Sequence, residues 1–316
     1  MSTLGKIKSS VEKTHSCFIS HSSLHVKLGY FLKLLARERI SQRIELEKHF
    51  TLFMYNCFMR KNFSRSSWQK VAPWYNRVTE QGRGHYYHQH VVIPGVLRLL
   101  DISSQPSAIN YKLLDLACGN GVLAKSLPQS VEYLGIDMAL SLVNSAKRND
   151  RNPKHKYLVS DVTKPLQASN DFTHAAIILA LQNIKSPVKA LQNVSQHLTK
   201  NGDLVVVLNH PAFRIPRQSS WGLDADRKIQ YRRIDKYMSP MDIPINMNPS
   251  DRGSEITMSY HFPLSSYSKM LKDAGFVIEL IEEWTSDKES EGKAARMENR
   301  SRNEIPLFMA IKAKKL

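Results

Sequence analysis

The segment that most constrains the fold is residues 113–124, LLDLACGNGVLA. A short apolar run ends in a turn that contains Gly119 and Gly121, and apolar residues resume after it. Because glycine has no Cβ, the backbone there can turn tightly and come close to a ligand. We expect a strand, this turn, and a helix that begins near Gly121 with its free N–H groups facing the ligand. The pattern predicts a nucleotide-type cofactor site at the carboxyl edge of a sheet.

Three acidic residues indicate which cofactor that site would hold. Asp115 lies at the end of the first strand, Asp137 follows the apolar run YLGI, and Asp161 follows the run YLVS. These carboxylates could accept from an amino-acid ammonium, two ribose hydroxyls and an adenine amino group, respectively. Residues 119–124 also fit the dinucleotide pattern G-x-G-x-x-G/A, so a nicotinamide or flavin oxidoreductase is the competing interpretation. Asp137 suits both cofactors, whereas Asp115 and Asp161 favour S-adenosylmethionine (SAM).

At these residues the chain resembles the class I SAM-dependent methyltransferases. The string DLACGNG (115–121) resembles their first motif, D/E-x-G-x-G-x-G, with Ala117 in place of the first glycine. The resemblance covers roughly residues 70–316 and implies a Rossmann-like α/β sheet of seven strands, the last antiparallel, with SAM as the cofactor. The residues it assigns to the cofactor site are Tyr75, Asp115, Ala117, Cys118, Gly119, Gly121, Asp137, Met138, Asp161, Val162 and Leu179.

The rest of the apolar pattern fits that sheet. Continuous apolar runs predict buried strands, and near-helical spacing predicts helices between them. The predicted strands are 172–181, 204–208, 276–281 and 306–311; the predicted helices are 187–198, stopped by a C-cap at 200–202, and 265–274, closed by Gly275. Two strands that close the chain favour the methyltransferase sheet over an oxidoreductase sheet.

We predict three regions along the chain. Residues 1–66 form a basic extension, partly disordered and then helical over 24–59. Residues 67–110 form a lid and entry helices, and residues 111–316 form the SAM-binding domain, into which a substrate cap, 212–260, is inserted.

The net charge of +17 is unevenly distributed. Residues 1–70 carry thirteen Lys/Arg against four Asp/Glu, a net +9, which leaves +8 for the rest of the chain. We expect a helical extension that packs on the domain with a solvated basic face. A nucleic-acid-binding arm and a membrane-surface or targeting segment are the alternatives.

Two segments before the first strand bear on the site. The string SWQKVAPWYN (67–76) resembles the W-x-x-x-A-x-x-Y lid of small-molecule methyltransferases, in which Tyr75 would cover the methionine end of the cofactor. His85, His88 and His90 are spaced closely enough to ligate a metal, but no acid or cysteine accompanies them. We expect them to line the cofactor or acceptor pocket, and we predict no metal site.

A second distinctive string, NHPAFRIPR (209–217), follows the predicted strand 204–208 and resembles a group of bacterial class I methyltransferases. Ligands bind beyond the carboxyl ends of the strands, which places His210 at the mouth of the site. His210 and His261 are the candidate catalytic bases, because neutral imidazole titrates near physiological pH.

Several functional classes are disfavoured. The position of the amino-methyltransferase motif N/D/S-P-P-Y/F/W reads LALQN (179–183), and the cysteine pair of RNA C5-cytosine methyltransferases is absent. Cys17, Cys57 and Cys118 are too far apart to indicate a disulfide framework or a metal site, which indicates a reducing, cytoplasmic compartment. No uncharged apolar run approaches the ~20 residues of a membrane span, so we expect no integral membrane association.

The sequence therefore predicts a SAM-dependent methyltransferase that transfers a methyl group by direct in-line displacement to a small-molecule acceptor. The alternatives are an RNA methyltransferase that uses the basic N-terminal region and a SAM-binding scaffold without catalysis.

Overall fold

The structure, a computed structural model, describes residues 68–79, 85–102, 111–248 and 254–316. The predicted extension, 1–66, lies outside these residues. The α-helices are α1 (Trp68–Val78), α2 (Ile93–Leu99), α3 (Leu140–Asn149), α4 (Pro187–His197), α5 (Leu264–Asp273) and α6 (Ala295–Glu304). The strands are β1 (Lys112–Leu116), β2 (Glu132–Asp137), β3 (His155–Val159), β4 (Phe172–Ile178), β5 (Leu198–Asn209), β6 (Ser219–Asp224), β7 (Ile229–Ile234), β8 (Met241–Asn246), β9 (Ile256–His261), β10 (Phe276–Trp284) and β11 (Phe308–Lys315).

Seven of these strands form one sheet in the order β3-β2-β1-β4-β5-β11-β10. Strands β1 to β5 pair in parallel, and β11 is antiparallel to both of its neighbours. This arrangement confirms the predicted α/β class and the antiparallel last strand. The strand order reverses between β1 and β4, and at such a switch point the carboxyl ends of parallel strands open a crevice for ligands.

The central strands are apolar throughout because both faces of the sheet are covered. Along β1, Leu114 packs into the core beneath α4 and α5, whereas its neighbour Leu113 packs into the core beneath α2. Both leucines are fully buried. Alternate residues of a strand point to opposite faces, so a continuous apolar run is what a doubly covered strand requires.

The predicted helix after the glycine turn is wrong. The chain continues from Gly121 as a turn and forms a single 3-10 turn, Ala124–Ser126. Leu127 then becomes extended, with φ −81° and ψ 144°. A residue before proline is driven out of the helical region, and Pro128 follows directly.

The predicted helix over 187–198 is confirmed, but the predicted C-cap at 200–202 is wrong. Helix α4 ends at His197, and β5 starts at once, so Gly202 lies inside a strand. The left-handed residue is Asn201, at φ 60°, because the chain from Leu198 already pairs with the start of β4. The predicted helix closed by Gly275 is confirmed as α5, and Gly275 has φ 85°.

The predicted insertion, 212–260, consists of two antiparallel hairpins in the residues that the structure describes. Strands β6 and β7 form the first, and β8 and β9 form the second. They leave β5 and return to α5, so both hairpins are attached at the carboxyl edge of the sheet. In the described parts of the chain, no helix is long and apolar enough to cross a membrane.

Candidate cofactor and acceptor site

The loop after β1 has a left-handed backbone at three positions. Ala117, Gly119 and Gly121 have φ of 58°, 58° and 80°. A Cβ on Gly121 would stand 3.1 Å from the Tyr157 hydroxyl and 3.2 Å from the Ala146 Cβ, so glycine is required there by conformation and by space. Ala117 adopts the same conformation with a Cβ, which strains the backbone at the position of the missing motif glycine.

Asp137, at the carboxyl end of β2, holds the shape of this loop. Its Oδ2 accepts a hydrogen bond from the Gly119 amide at 3.0 Å, and its Oδ1 accepts one from the Ala139 amide at 2.8 Å. Burial raises the pKa of Asp137, and these amide donors oppose the shift. Each carboxylate oxygen can accept twice, so lone pairs remain for two ribose hydroxyls.

Asp115 is buried beneath the loop and is 3% exposed. The Tyr133 hydroxyl donates to its Oδ2 at 2.7 Å. Burial raises the pKa of Asp115 to about 7; the Tyr133 hydrogen bond lowers it, and the charge of Asp137 adds to the rise. The carboxyl therefore titrates near neutral pH, where a bound ammonium would favour its ionised form.

Two further predicted residues, Cys118 and Met138, flank these acids. Cys118 is buried and its amide donates to the Ile136 carbonyl at 3.1 Å. Burial raises the pKa of the Cys118 thiol, as do Asp115 and Asp137, so the thiol stays protonated. Met138 is 61% exposed and can cover a ligand that Asp137 holds.

A side chain of α4 holds the turn after β3 through two hydrogen bonds. Asn193 donates to the Val162 carbonyl at 2.6 Å and to the Lys164 carbonyl at 2.7 Å. The Asp161 Oδ1 accepts from the Thr163 amide at 2.9 Å and from its hydroxyl at 2.7 Å. In this arrangement the second carboxylate oxygen of Asp161 remains available to an amino group.

Helix α1 lies across the glycine loop. The Tyr75 ring comes within 3.6 Å of the point at which a Cβ on Gly119 would stand, and burial raises the pKa of Tyr75 next to Asp137 and Asp115. Asn120, which the sequence analysis did not identify, attaches this helix to the loop. Asn120 donates to the Asn76 Oδ1 at 2.9 Å and to the Thr79 hydroxyl at 2.7 Å.

The carboxyl end of β4 completes the crevice. Leu179 has φ 51°, and its carbonyl accepts from the side chains of Gln182 at 3.0 Å and Asn183 at 3.2 Å. Two buried acceptor oxygens, Gln182 Oε1 and Asn120 Oδ1, have no donor among the described residues. Buried acceptors normally have a partner, so this site is short of donors. SAM brings an ammonium, hydroxyls and an amino group, and the residues present fit it.

The two candidate bases differ in their hydrogen bonds. The His210 Nδ1 accepts from the Ala212 and Phe213 amides at 3.2 and 3.3 Å, and its Nε2 donates to Glu283 at 2.6 Å. The Nε2 of His261 donates to the Tyr237 carbonyl at 2.6 Å. Burial lowers the pKa of both histidines, and these partners oppose the shift. Both His210 nitrogens are therefore engaged, whereas His261 keeps Nδ1 as a neutral acceptor.

The histidines before α2 lie in a π-helical turn, His88–Val92, and just before it. His88 is 6% exposed, its Nδ1 has no partner among the described residues, and its ring stands 4.0 Å from that of His85. Burial lowers the pKa of His88 to about 3, with a smaller effect from His85. His90 instead stacks on Tyr86. The described residues contain no group of three or more His, Cys, Asp or Glu that could hold a metal ion.

Comparisons with known proteins agree with this geometry. Residues 114–206 match a family model described as a methyltransferase domain. The fold is similar to that of a SAM-dependent methyltransferase from Mesorhizobium loti, with a TM-score of 0.56 and 21% identity over 72% of this chain and 100% of that one. Residues 114–206 are therefore similar to a methyltransferase domain, and the described part of the chain has the fold of a SAM-dependent methyltransferase.

Curated proteins that this chain is similar to include enzymes named for two different kinds of acceptor. A demethylmenaquinone methyltransferase from Paenarthrobacter aurescens is 28% identical over 38% of this chain and 47% of its own length. A ribosomal RNA small subunit methyltransferase C from Buchnera aphidicola is 27% identical over 56% of this chain and 55% of its own length. The chain thus spans about half the length of these curated relatives.

Proposed function

We propose that the protein transfers the methyl group of SAM to a small-molecule acceptor by direct in-line displacement. The observation that carries this proposal is the convergence of Asp115, Asp137 and the glycine loop, with the Asp137 carboxylate bonded to the Gly119 amide. A carboxylate in this position shapes the loop and keeps lone pairs for a ribose. Bound SAM supplies a methyl group that its sulfonium already activates.

The residues of the chain then act mainly by positioning and by excluding water. Asp137 and Asp161 hold the two ends of the adenosine, and Asp115 with the Gln182 oxygen provides acceptors for an ammonium. Tyr75, held over Gly119 by the attachment of α1 to Asn120, excludes water from the loop.

His261 and His210 take different roles in this proposal. An acceptor hydroxyl or carbon acid needs a base, and the Nδ1 of His261 carries a lone pair because Nε2 donates to the Tyr237 carbonyl. His261 ends β9, which packs against the turn Leu181–Asn183 at the end of β4. His210 holds the turn that leads into the insertion, since its Nδ1 accepts from two successive amides of that turn.

The insertion favours a small acceptor. Residues 212–260 carry eight Lys/Arg against six Asp/Glu, so this part of the chain is nearly balanced in charge. Its exposed Trp221, Leu223 and Tyr231 offer apolar and aromatic surface for a compact acceptor. The demethylmenaquinone methyltransferases among the relatives support a small acceptor as well.

RNA is the second candidate acceptor. The observation that favours it is the +9 charge of residues 1–70, together with the ribosomal RNA methyltransferase among the relatives. The two acceptors differ in salt dependence. Phosphate contacts release counterions, so RNA binding weakens steeply with salt, whereas small-molecule binding changes little.

Calorimetric titration with SAM and with NADH tests the cofactor. We expect the wild-type protein to bind SAM. Asp137→Ala should reduce the affinity for SAM at least about tenfold, because charge-assisted hydrogen bonds are lost. Asp226→Ala removes the same charge at an exposed position and should leave the affinity for SAM unchanged. Thermal unfolding of both variants checks that they fold. Preferential NADH binding, or no SAM binding by the folded wild type, would overturn the proposal.

Methyl transfer is tested with SAM labelled in its methyl group. The label is offered to a small-metabolite extract and to bulk RNA, each at low and moderate salt. Label in the metabolite fraction that is insensitive to salt supports the small acceptor. Label in RNA that falls with salt supports the second candidate.

A further inference from the structure

A turn at the end of β5 exposes an arginine that none of the described residues neutralises. The Arg214 amide donates to the His210 carbonyl at 2.8 Å, which closes the turn. Phe213 packs on the His210 ring at 4.8 Å, and Ile215 is buried. Between these two anchored neighbours, the Arg214 side chain is exposed.

A second guanidinium, that of Arg232, is held against the backbone of the same turn. The Arg232 Nε donates to the Phe213 carbonyl at 2.7 Å, and its Nη2 donates to the Ser219 hydroxyl at 2.9 Å. The guanidinium also lies over the Trp221 ring at 5.2 Å. Arginine has five N–H donors, so three of those on Arg232 remain, on a side chain whose position is fixed.

Neither guanidinium forms an ion pair within the part of the chain that the structure describes. Other arginines do: Arg98 pairs with Glu282, and Arg233 with Asp235. Burial lowers the pKa of Arg214, a shift that Tyr87 opposes, although solvent reaches the side chain. Two like charges there raise the free energy of the molecule, and a bound anion would lower it.

We propose that Arg214, supported by Arg232, binds a carboxylate or phosphate group of the acceptor. The inference rests on the proposed function for the identity of the ligand as an acceptor, but the anion site itself is independent of it. Arg214 follows β5, the neighbour of β4, so it borders the crevice in which ligands of such sheets bind. No described residue accepts a hydrogen bond from the planar guanidinium of Arg214, which suits it to bidentate contact with the anion.

The surroundings fit one anionic group better than a nucleic-acid backbone. A backbone track needs a row of cations, whereas the hairpin β6–β7 carries acids next to two of its arginines. Asp224 lies 3.9 Å from Arg227 at the hairpin tip, and Asp235 pairs with Arg233 at 2.7 Å. Arg214 and Arg232 form no such pair with a described residue, and they meet at the turn after β5.

The test is a calorimetric titration of the full chain with inorganic phosphate and, separately, with benzoate. We expect Arg214→Gln to weaken binding of the preferred anion about tenfold through the lost charged hydrogen bonds. Arg214→Lys should restore part of the affinity, because lysine returns the positive charge but cannot make the bidentate contact of a guanidinium. Arg227→Gln, with the same charge change on a side chain 79% exposed, should leave the affinity unchanged. Whichever of the two anions binds more tightly distinguishes a phosphate from a carboxylate acceptor.

Two results would overturn the anion site: wild-type protein that binds neither anion, or equal losses in Arg214→Gln and Arg227→Gln. A ten-nucleotide RNA whose binding alone depends on Arg214 would assign the arginine to RNA instead. SAM titration of the same samples separates the proposals. SAM binding without anion binding contradicts the subsite but not the methyltransferase, and the reverse contradicts the methyltransferase alone.

Discussion

The two halves of the crevice are built in different ways. On the cofactor side, Asp115 and Asp137 are 3% and 7% exposed, and each is fixed by a hydrogen bond to a neighbouring strand or loop. On the proposed acceptor side, Trp221 and Leu223 are 37% and 61% exposed, and the exposed Arg214 forms no ion pair with a described residue. The cofactor side is held rigid by packing and buried charge. The acceptor side is exposed surface whose shape depends on a few anchoring hydrogen bonds.

Replacement of Gly121 by alanine should give the largest effect and disrupt the cofactor side. The left-handed backbone costs roughly 1–2 kcal/mol with a Cβ, and contact with Tyr157 and Ala146 adds overpacking of about 1–3 kcal/mol. We expect the free energy of unfolding, measured in urea, to fall by their sum, about 2–5 kcal/mol, and SAM affinity to fall with it.

Gly292 is the matched control for this substitution. It has φ 84°, and a Cβ there would meet nothing within 4 Å, so Gly292→Ala should show the conformational cost alone. If both variants lose the same free energy of unfolding, the loop around Gly121 is not crowded. The cofactor side would then not be the tightly packed half of the crevice.

The cofactor side can be predicted from the sequence because its residues are close together in the chain. Asp115, Gly119 and Gly121 lie within seven residues of one chain segment, so their spacing alone indicates a shared cofactor loop. The sheet is predictable for the same reason, since burial on both faces leaves continuous apolar runs.

The acceptor side has no such local pattern. The Nε2 of His210 donates to Glu283, 73 residues away in the chain, and the Nε2 of His261 donates to the Tyr237 carbonyl. The attachment of α1 through Asn120 was missed as well, although an amide between two glycines was a usable signal. Such contacts depend on how elements meet in space, and one sequence does not specify them locally.

Replacement of Asp115 by asparagine tests whether the buried acid is destabilising. The pKa of Asp115 is raised from 3.8 to about 7 on folding, so between these pH values the folded state holds a proton that the unfolded state has lost. Wild-type stability should therefore fall as pH rises through this window, by about 4 kcal/mol in total, and level off above pH 7.

Asp115→Asn should remove that fall, because the asparagine cannot ionise and its oxygen still accepts from Tyr133. Urea unfolding at pH 5 and pH 8 measures the difference between the two proteins, in which the titrations of Asp137 and the histidines cancel. A variant that loses as much stability as the wild type between these pH values would show that Asp115 ionises normally.

Replacement of His210 by alanine should destabilise the acceptor side. The Ala212 and Phe213 amides lose their acceptor, at a cost of about 1–3 kcal/mol, while the Asp137 loop is untouched. We expect urea unfolding to report that loss and SAM affinity to stay within about twofold of the wild type, since no cofactor contact changes. A large loss of SAM affinity would mean that the two halves are coupled. Glu283→Gln, which keeps an acceptor for Nε2, should cost less.

The smallest expected effect returns to the cofactor side, at Ala117. A glycine at φ 58° would relieve roughly 1–2 kcal/mol of left-handed strain, but it would also give the unfolded chain about 0.5–1 kcal/mol of extra conformational freedom. The variant Ala117→Gly should therefore be as stable as the wild type or more stable by up to about 1.5 kcal/mol, measured by urea unfolding, with SAM affinity unchanged. Loss of stability would mean that the Ala117 methyl group packs favourably enough to outweigh its strain, and that the departure from the motif stabilises this loop.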